Sequence, residues 1–64
     1  MDYKVGDKIY IIEMKGEPQY TGRVGVITKI DDNGQLHGTW GGLAINLECD
    51  TIEFRTEVDF VDNL

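Results

Sequence analysis

Residues 22–40 of this chain, Gly-Arg-Val-Gly-Val-Ile-Thr-Lys-Ile-Asp-Asp-Asn-Gly-Gln-Leu-His-Gly-Thr-Trp, spell out a β-hairpin. Val24, Val26, Thr28 and Ile30 alternate with Gly25, Ile27 and Lys29, the period of a strand. Asn33 and Gly34 then supply a dipeptide suited to a two-residue turn with positive φ at both positions. The strand resumes at Leu36 and ends near Trp40. Gly25, inside a strand, predicts a bulge or a close backbone approach. A hairpin this explicit points to an all-β protein built of short strands.

The rest of the chain extends that pattern. In residues 8–14, Ile9 and Ile11 face one way and Tyr10, Ile12 and Met14 the other. Both faces are apolar, so this strand is expected to change sheets or to be covered on both sides. Residues 15–22 form the longest polar loop, punctuated by Gly16 and Pro18, and such a loop is where contacts are expected. Gly41 and Gly42 suit a second tight turn before a strand at 43–47, with Leu43, Ile45 and Leu47 on one face. A fifth strand opens at Ile52. Beyond it, period-two alternation runs through Phe54, Thr56, Val58 and Phe60, longer than a minimal sheet needs. Residues 57–64 are therefore expected to dock on their own domain or on a partner, as strand or as a short helical turn. Strands are predicted over 8–14, 23–31, 35–40, 43–47 and 52–56, in one domain covering residues 1–64.

Composition narrows the function. With 64 residues there is room for one core, and 41% hydrophobic with 28% charged residues is globular rather than disordered. The net charge is −6, and residues 48–64 hold most of it, with six carboxylates against Arg55. Such a surface repels phosphate backbones, so nucleic acid is a disfavoured partner. The single cysteine, Cys49, has no internal disulfide partner and reads as a small buried or half-buried filler. There is no signal-like leader and no apolar run of membrane length, and a cytoplasmic setting is the expectation.

Two resemblances bear on the fold. The segment Gly22-Arg-Val-Gly-Val-Ile-Thr-Lys-Ile resembles the glycine-hydrophobic core of the KOW motif, found on SH3-like barrels of ribosomal and transcription-elongation proteins. This chain is less basic than KOW modules that touch RNA. A second pattern covers most of the chain: Gly25-Val-Ile, Ile30-Asp-Asp-Asn-Gly-Gln-Leu-His, Trp40 and Gly42-Leu-Ala-Ile, with Lys4-Val-Gly-Asp-Lys at the start. It resembles a family of small phage and Gram-positive proteins of unknown function, and differs at Gly41, where that family often has an acidic residue. The resemblance implies a small five-stranded SH3-like barrel and a mobile-element setting. It brings no activity and no catalytic residues.

The chemistry-bearing residues are few. There is no serine, His37 is the sole histidine, and Glu48 and Asp50 flank Cys49 and oppose a thiolate. No catalytic set, metal site or cofactor is expected. Asp31-Asp32-Asn33 starts like a calcium loop but lacks its remaining ligands, and reads as turn chemistry. The candidate partner-binding residues are Tyr10, Tyr20, Arg23, His37, Trp40 and Phe60. Trp40 reads either as the plug of one end of the fold, with Gly38 leaving room for its ring, or as an aromatic platform. Arg23, at the far end of the polar loop, is expected to pair with an acidic group.

The expected function is a non-catalytic interaction module, binding a host protein or itself. One alternative is a KOW-like nucleic-acid binder using Lys8, Lys15, Arg23 and Lys29 with aromatic stacking. The other is capture of a small nucleotide between subunits by Arg23, His37 and Trp40.

Overall fold

The computed structural model describes residues 2–55. They form one antiparallel sheet of four strands: β1 (Lys8–Glu13), β2 (Val24–Ile30), β3 (Leu36–Gly38) and β4 (Thr51–Phe54). The order across the sheet is β3-β2-β1-β4. A single 3-10 turn, Pro18–Tyr20, lies in the loop between β1 and β2, with Pro18 fixing its first φ. The described residues contain no α-helix, as expected for an all-β chain. Among the described residues no helix is long and apolar enough to cross a membrane. The expected extension, including Phe60, lies outside the described residues.

The fourth expected strand, 43–47, is a single bridge. Leu36 and Ile45 exchange both backbone hydrogen bonds, at 2.9 and 2.8 Å, on the outer edge of β3. Leu43 and Leu47 stay exposed on either side of it. Both ends of the segment are held by something other than a strand partner. The Trp40 Nε1–H donates to the Leu43 carbonyl, and the Leu43 N–H donates to the Tyr20 hydroxyl. At the other end the Asn46 N–H donates to Asp50 Oδ2, and Cys49 and Asp50 close a turn on the Asn46 carbonyl. The sheet is accordingly four strands plus one bridge and is not closed by strand pairing.

The hairpin between β2 and β3 forms where expected but with a different turn. Among the described residues no non-glycine residue has positive φ, so Asn33 is not left-handed; within this turn Gly34 is, at φ +80°. The Gly34 N–H bonds the Asp31 carbonyl and the Asp31 N–H bonds the Gln35 carbonyl. This is a three-residue loop with a left-handed residue at its third position, the second most favoured way to join two such strands.

Among the described residues nine side chains form the core: Ile9, Ile11, Met14, Tyr20, Ile27, Leu36, Trp40, Ile45 and Ile52. In β1, Ile9 and Ile11 are fully buried while Tyr10 and Ile12 remain more than a third exposed. The register of β1 against β4 slips between Ile11 and Glu13, and Met14 enters the core past that irregularity. In β2 the inward face is the one carrying Gly25 and Ile27, although the opposite face has more apolar residues. The reason is Trp40. A Cβ on Gly38 would run into the Trp40 ring and the Val26 carbonyl, and one on Gly25 would meet the Trp40 backbone nitrogen at 2.9 Å. Both glycines are the floor on which the indole lies, so the Gly25 face has to be inside. Tyr3 packs on the core edge, its ring 4.6 Å from that of Phe54, and burial followed by the Glu53 charge pushes its phenol pKa up.

A chain of this length is stable by roughly 3–10 kcal/mol. Gly38→Ala is expected to remove about 3 kcal/mol of that, because backbone as well as ring must move. Gly34→Asn keeps a left-handed conformation accessible and is expected to cost much less. Urea midpoints of the two variants check the difference; equal midpoints would remove the close approach of Trp40 as the cause.

Candidate functional site

Three of the nominated residues come together, and their polar atoms are engaged inside the molecule. Tyr20, at the end of the 3-10 turn, is buried, and its hydroxyl accepts the Leu43 N–H at 3.0 Å. The Arg23 guanidinium lies over the Tyr20 ring, 4.3 Å from its centroid. Its Nη1 donates to the Trp40 carbonyl at 3.0 Å and to the Gly41 carbonyl at 2.8 Å. Trp40 is buried, and its Nε1–H reaches the Leu43 carbonyl at 2.8 Å. A Cβ on Gly42 would meet the Tyr20 hydroxyl, and Gly42 has φ +124°. Within the described residues Arg23 bonds these two carbonyl oxygens. One nitrogen, Nη1, carries two N–H groups and reaches both adjacent carbonyls in this glycine-rich turn.

His37 serves the hairpin. Its Nε2 is 2.9 Å from Asp31 Oδ2, while Asp31 Oδ1 accepts the N–H groups of Asn33 and Gln35 at 2.9 and 3.0 Å. Both carboxylate oxygens of Asp31 thus shape the turn, as turn chemistry predicts. Among the described residues no group of His, Cys, Asp and Glu side chains has the arrangement of a metal site. The hydrogen bond with His37, then that from the Gln35 N–H, hold the Asp31 pKa below its ordinary value; the Asn33 N–H adds to this and partial burial opposes it.

Cys49 is an exposed free thiol rather than the buried or half-buried filler expected, because the turn on Asn46 faces it outward. Its neighbour Asp50 has a role that residue patterning did not suggest. Asp50 Oδ1 accepts the Lys15 N–H at 2.9 Å and Oδ2 the Asn46 N–H at 2.8 Å, joining the exit of β1 to the turn before β4. The spacing of Asn46 and Asp50, both prone to bond nearby backbone, was the available signal.

Tyr10 stands apart from the others. It faces outward on β1, opposite Val24 of β2 on one side and Glu53 of β4 on the other. Tyr10, Ile12 and Val24 are 36%, 37% and 46% exposed. Beside them lies a groove of about 410 Å³. Lys8 and Ile9 of β1 and Val24, Gly25 and Val26 of β2 line it, with Thr39 on the β3 side and Arg55 on the β4 side. Thr39 is fixed there by its Oγ1, which accepts the Val26 N–H at 2.9 Å. The groove is mostly apolar with a cationic rim, in a chain of net charge −6. Alternation had placed Val24 and Val26 on one face, but only the seat of Trp40 told which face is outside.

Comparison of the chain with known protein families, with characterised proteins and with solved structures returns no match. The site is therefore read from its own chemistry.

Two outcomes are expected. Tyr20→Phe leaves the Leu43 N–H without its acceptor and costs about 1 kcal/mol, and Arg23→Lys, which loses the planar stack over the Tyr20 ring, costs about 1 kcal/mol. Chemical denaturation measures both. For Asp31 the folded-state pKa is lowered, so its contribution is fully present above the unfolded carboxylate value and is lost as pH falls through the folded one. Asp31→Asn is expected to flatten that acid limb of the stability curve. A limb of unchanged steepness would assign the acid sensitivity to other carboxylates.

Proposed function

We propose that this chain is a non-catalytic protein-interaction module on an SH3-like barrel, presenting the outer face around Tyr10. One observation carries the reading: Tyr20, Arg23, His37 and Trp40 hold loops together, while Tyr10, Ile12 and Val24 are adjacent in register and face solvent. A half-exposed tyrosine beside aliphatic side chains is the usual anchor of a protein interface, with large contact area and a polar tip. The barrel is supported by the Ile45 bridge on the edge of β3 and by the short link from there to β4. The chain passes from the Ile45 bridge to β4 through a turn in which the Asp50 N–H donates to the Asn46 carbonyl at 2.8 Å, a short link that favours a rolled sheet. The resemblance to small phage and Gram-positive proteins supports a cytoplasmic accessory protein acting on a host factor.

Nucleic-acid stacking draws less support, since two of its aromatic candidates, Tyr20 and Trp40, are buried and the Arg23 guanidinium is bonded to carbonyls.

Tyr10→Glu is the test. Its side chain faces solvent, so the fold is expected to be retained by circular dichroism. Affinity capture from a bacterial lysate is expected to lose a specifically retained protein in the variant. Retention of the same proteins by wild type and Y10E would refute the assigned face.

A further inference from the structure

We propose that the free edge of β4 is a strand-addition site. It takes an extended segment of another protein, with a cationic side chain opposite Glu53 and apolar side chains on the Leu47 side. The site is separate from the Tyr10 reading, which concerns a face of the sheet and not its edge.

The backbone argues first. β4 ends the sheet order and has β1 on one side only. The Arg55 N–H bonds the Lys8 carbonyl at 2.8 Å, so the backbone groups of Arg55 and, two residues back, of Glu53 turn toward β1. Those of Ile52 and Phe54 turn the other way, to the edge. Among the described residues the Ile52 N–H and both backbone groups of Phe54 have no hydrogen-bond partner. The Ile52 carbonyl accepts only a long bond, 3.4 Å, from the Tyr3 hydroxyl. Such a row is satisfied by another extended backbone laid alongside.

The side chains argue second. Between β4 and the segment leaving the Ile45 bridge lies a hollow of about 260 Å³, lined by Tyr3, Leu47, Asp50, Thr51 and Ile52. Leu47 is exposed there, and so is Phe54 farther along the edge. The Asp50 carboxylate is taken up by the Lys15 and Asn46 N–H groups. A strand about 4.8 Å outside β4 turns alternate side chains to this side, where apolar residues cover Leu47 and Phe54. Its other side chains fall beside Glu53, which is exposed and has no ion pair among the described residues. A cation there makes a favourable cross-strand pair.

The same carboxylate argues against a second copy as the occupant. Two β4 strands related by a two-fold axis, each using its Ile52 and Phe54 groups, are centred on Glu53. That register sets two Glu53 side chains directly opposite each other, which is destabilising.

Amide resonances of the isotope-labelled full chain, followed during peptide titration, test the proposal. The probes are acetyl-Thr-Val-Lys-Val-Thr-amide, which reads alike in both directions, and its counterpart with Glu in place of Lys. The Lys peptide is expected to move the Ile52 and Phe54 amides and slow their exchange with water, leaving those of Asp31 and His37 in place. Glu53→Lys is expected to reverse the preference between the two peptides, changing each affinity by about threefold. A Lys peptide methylated on its backbone nitrogens is expected to leave the edge amides unmoved. No response at millimolar Lys peptide, an equal response to the methylated peptide, or an unchanged preference in E53K each overturns the proposal. Protection of the Phe54 amide before any peptide is added overturns it too. Protection that fades on dilution would assign the edge to a second copy, and protection independent of concentration would assign it to the chain itself.

Discussion

The indole of Trp40 lies directly on the backbone of two strands, and the rest of the fold follows from that contact. Gly25 and Gly38 have no side chains because the ring occupies the space where a Cβ would be. This decides which face of β2 is inside: Ile27 points into the core and Val24 and Val26 point out. It also decides where the chain goes next. The indole N–H, once buried, needs an acceptor, and the Leu43 carbonyl provides it at 2.8 Å. The segment after Trp40 is thereby drawn toward the ring instead of continuing as a strand.

A second set of contacts ties the loops to this centre. Tyr20 and Arg23 come from the far side of the β1–β2 loop and bind the backbone of residues 40–43. Asp50 does the same for the exit of β1 and the turn before β4. These are bonds from side chains to backbone, and they serve where strand ladders are too short. β3 has three residues and β4 four, so the sheet alone leaves many backbone groups unpaired. A chain of 64 residues has little hydrophobic core to spare, and polar side chains that bind backbone make up part of the difference. This explains why residue types that recur in binding sites, an arginine between aromatics and a lone tryptophan, serve the architecture here.

Among the described residues, the outer sheet face around Tyr10 and the groove beside it expose aliphatic side chains. The character of this surface follows from the inverted β2. Aliphatic residues that a sequence reading would readily place in a core are displayed next to Tyr10, and the cations Lys8 and Arg55 border them. In a protein of net charge −6, this gives one face a chemistry distinct from the rest.

Strand periodicity, the Asp31–Gly34 turn chemistry and the small size were legible in the residues themselves, because each depends on near neighbours. They determine an antiparallel all-β fold, the β2–β3 hairpin, and the pairing of Trp40 with Gly38, two positions apart in the chain. Other features depend on groups distant in the chain. Which face of β2 is buried depends on where the Trp40 ring lies. Whether residues 43–47 form a strand depends on Tyr20 and Asp50, and whether Arg23 is available depends on two carbonyls 17 and 18 positions away. Alternation is symmetric between the two faces of a strand, and only packing against the third dimension breaks that symmetry.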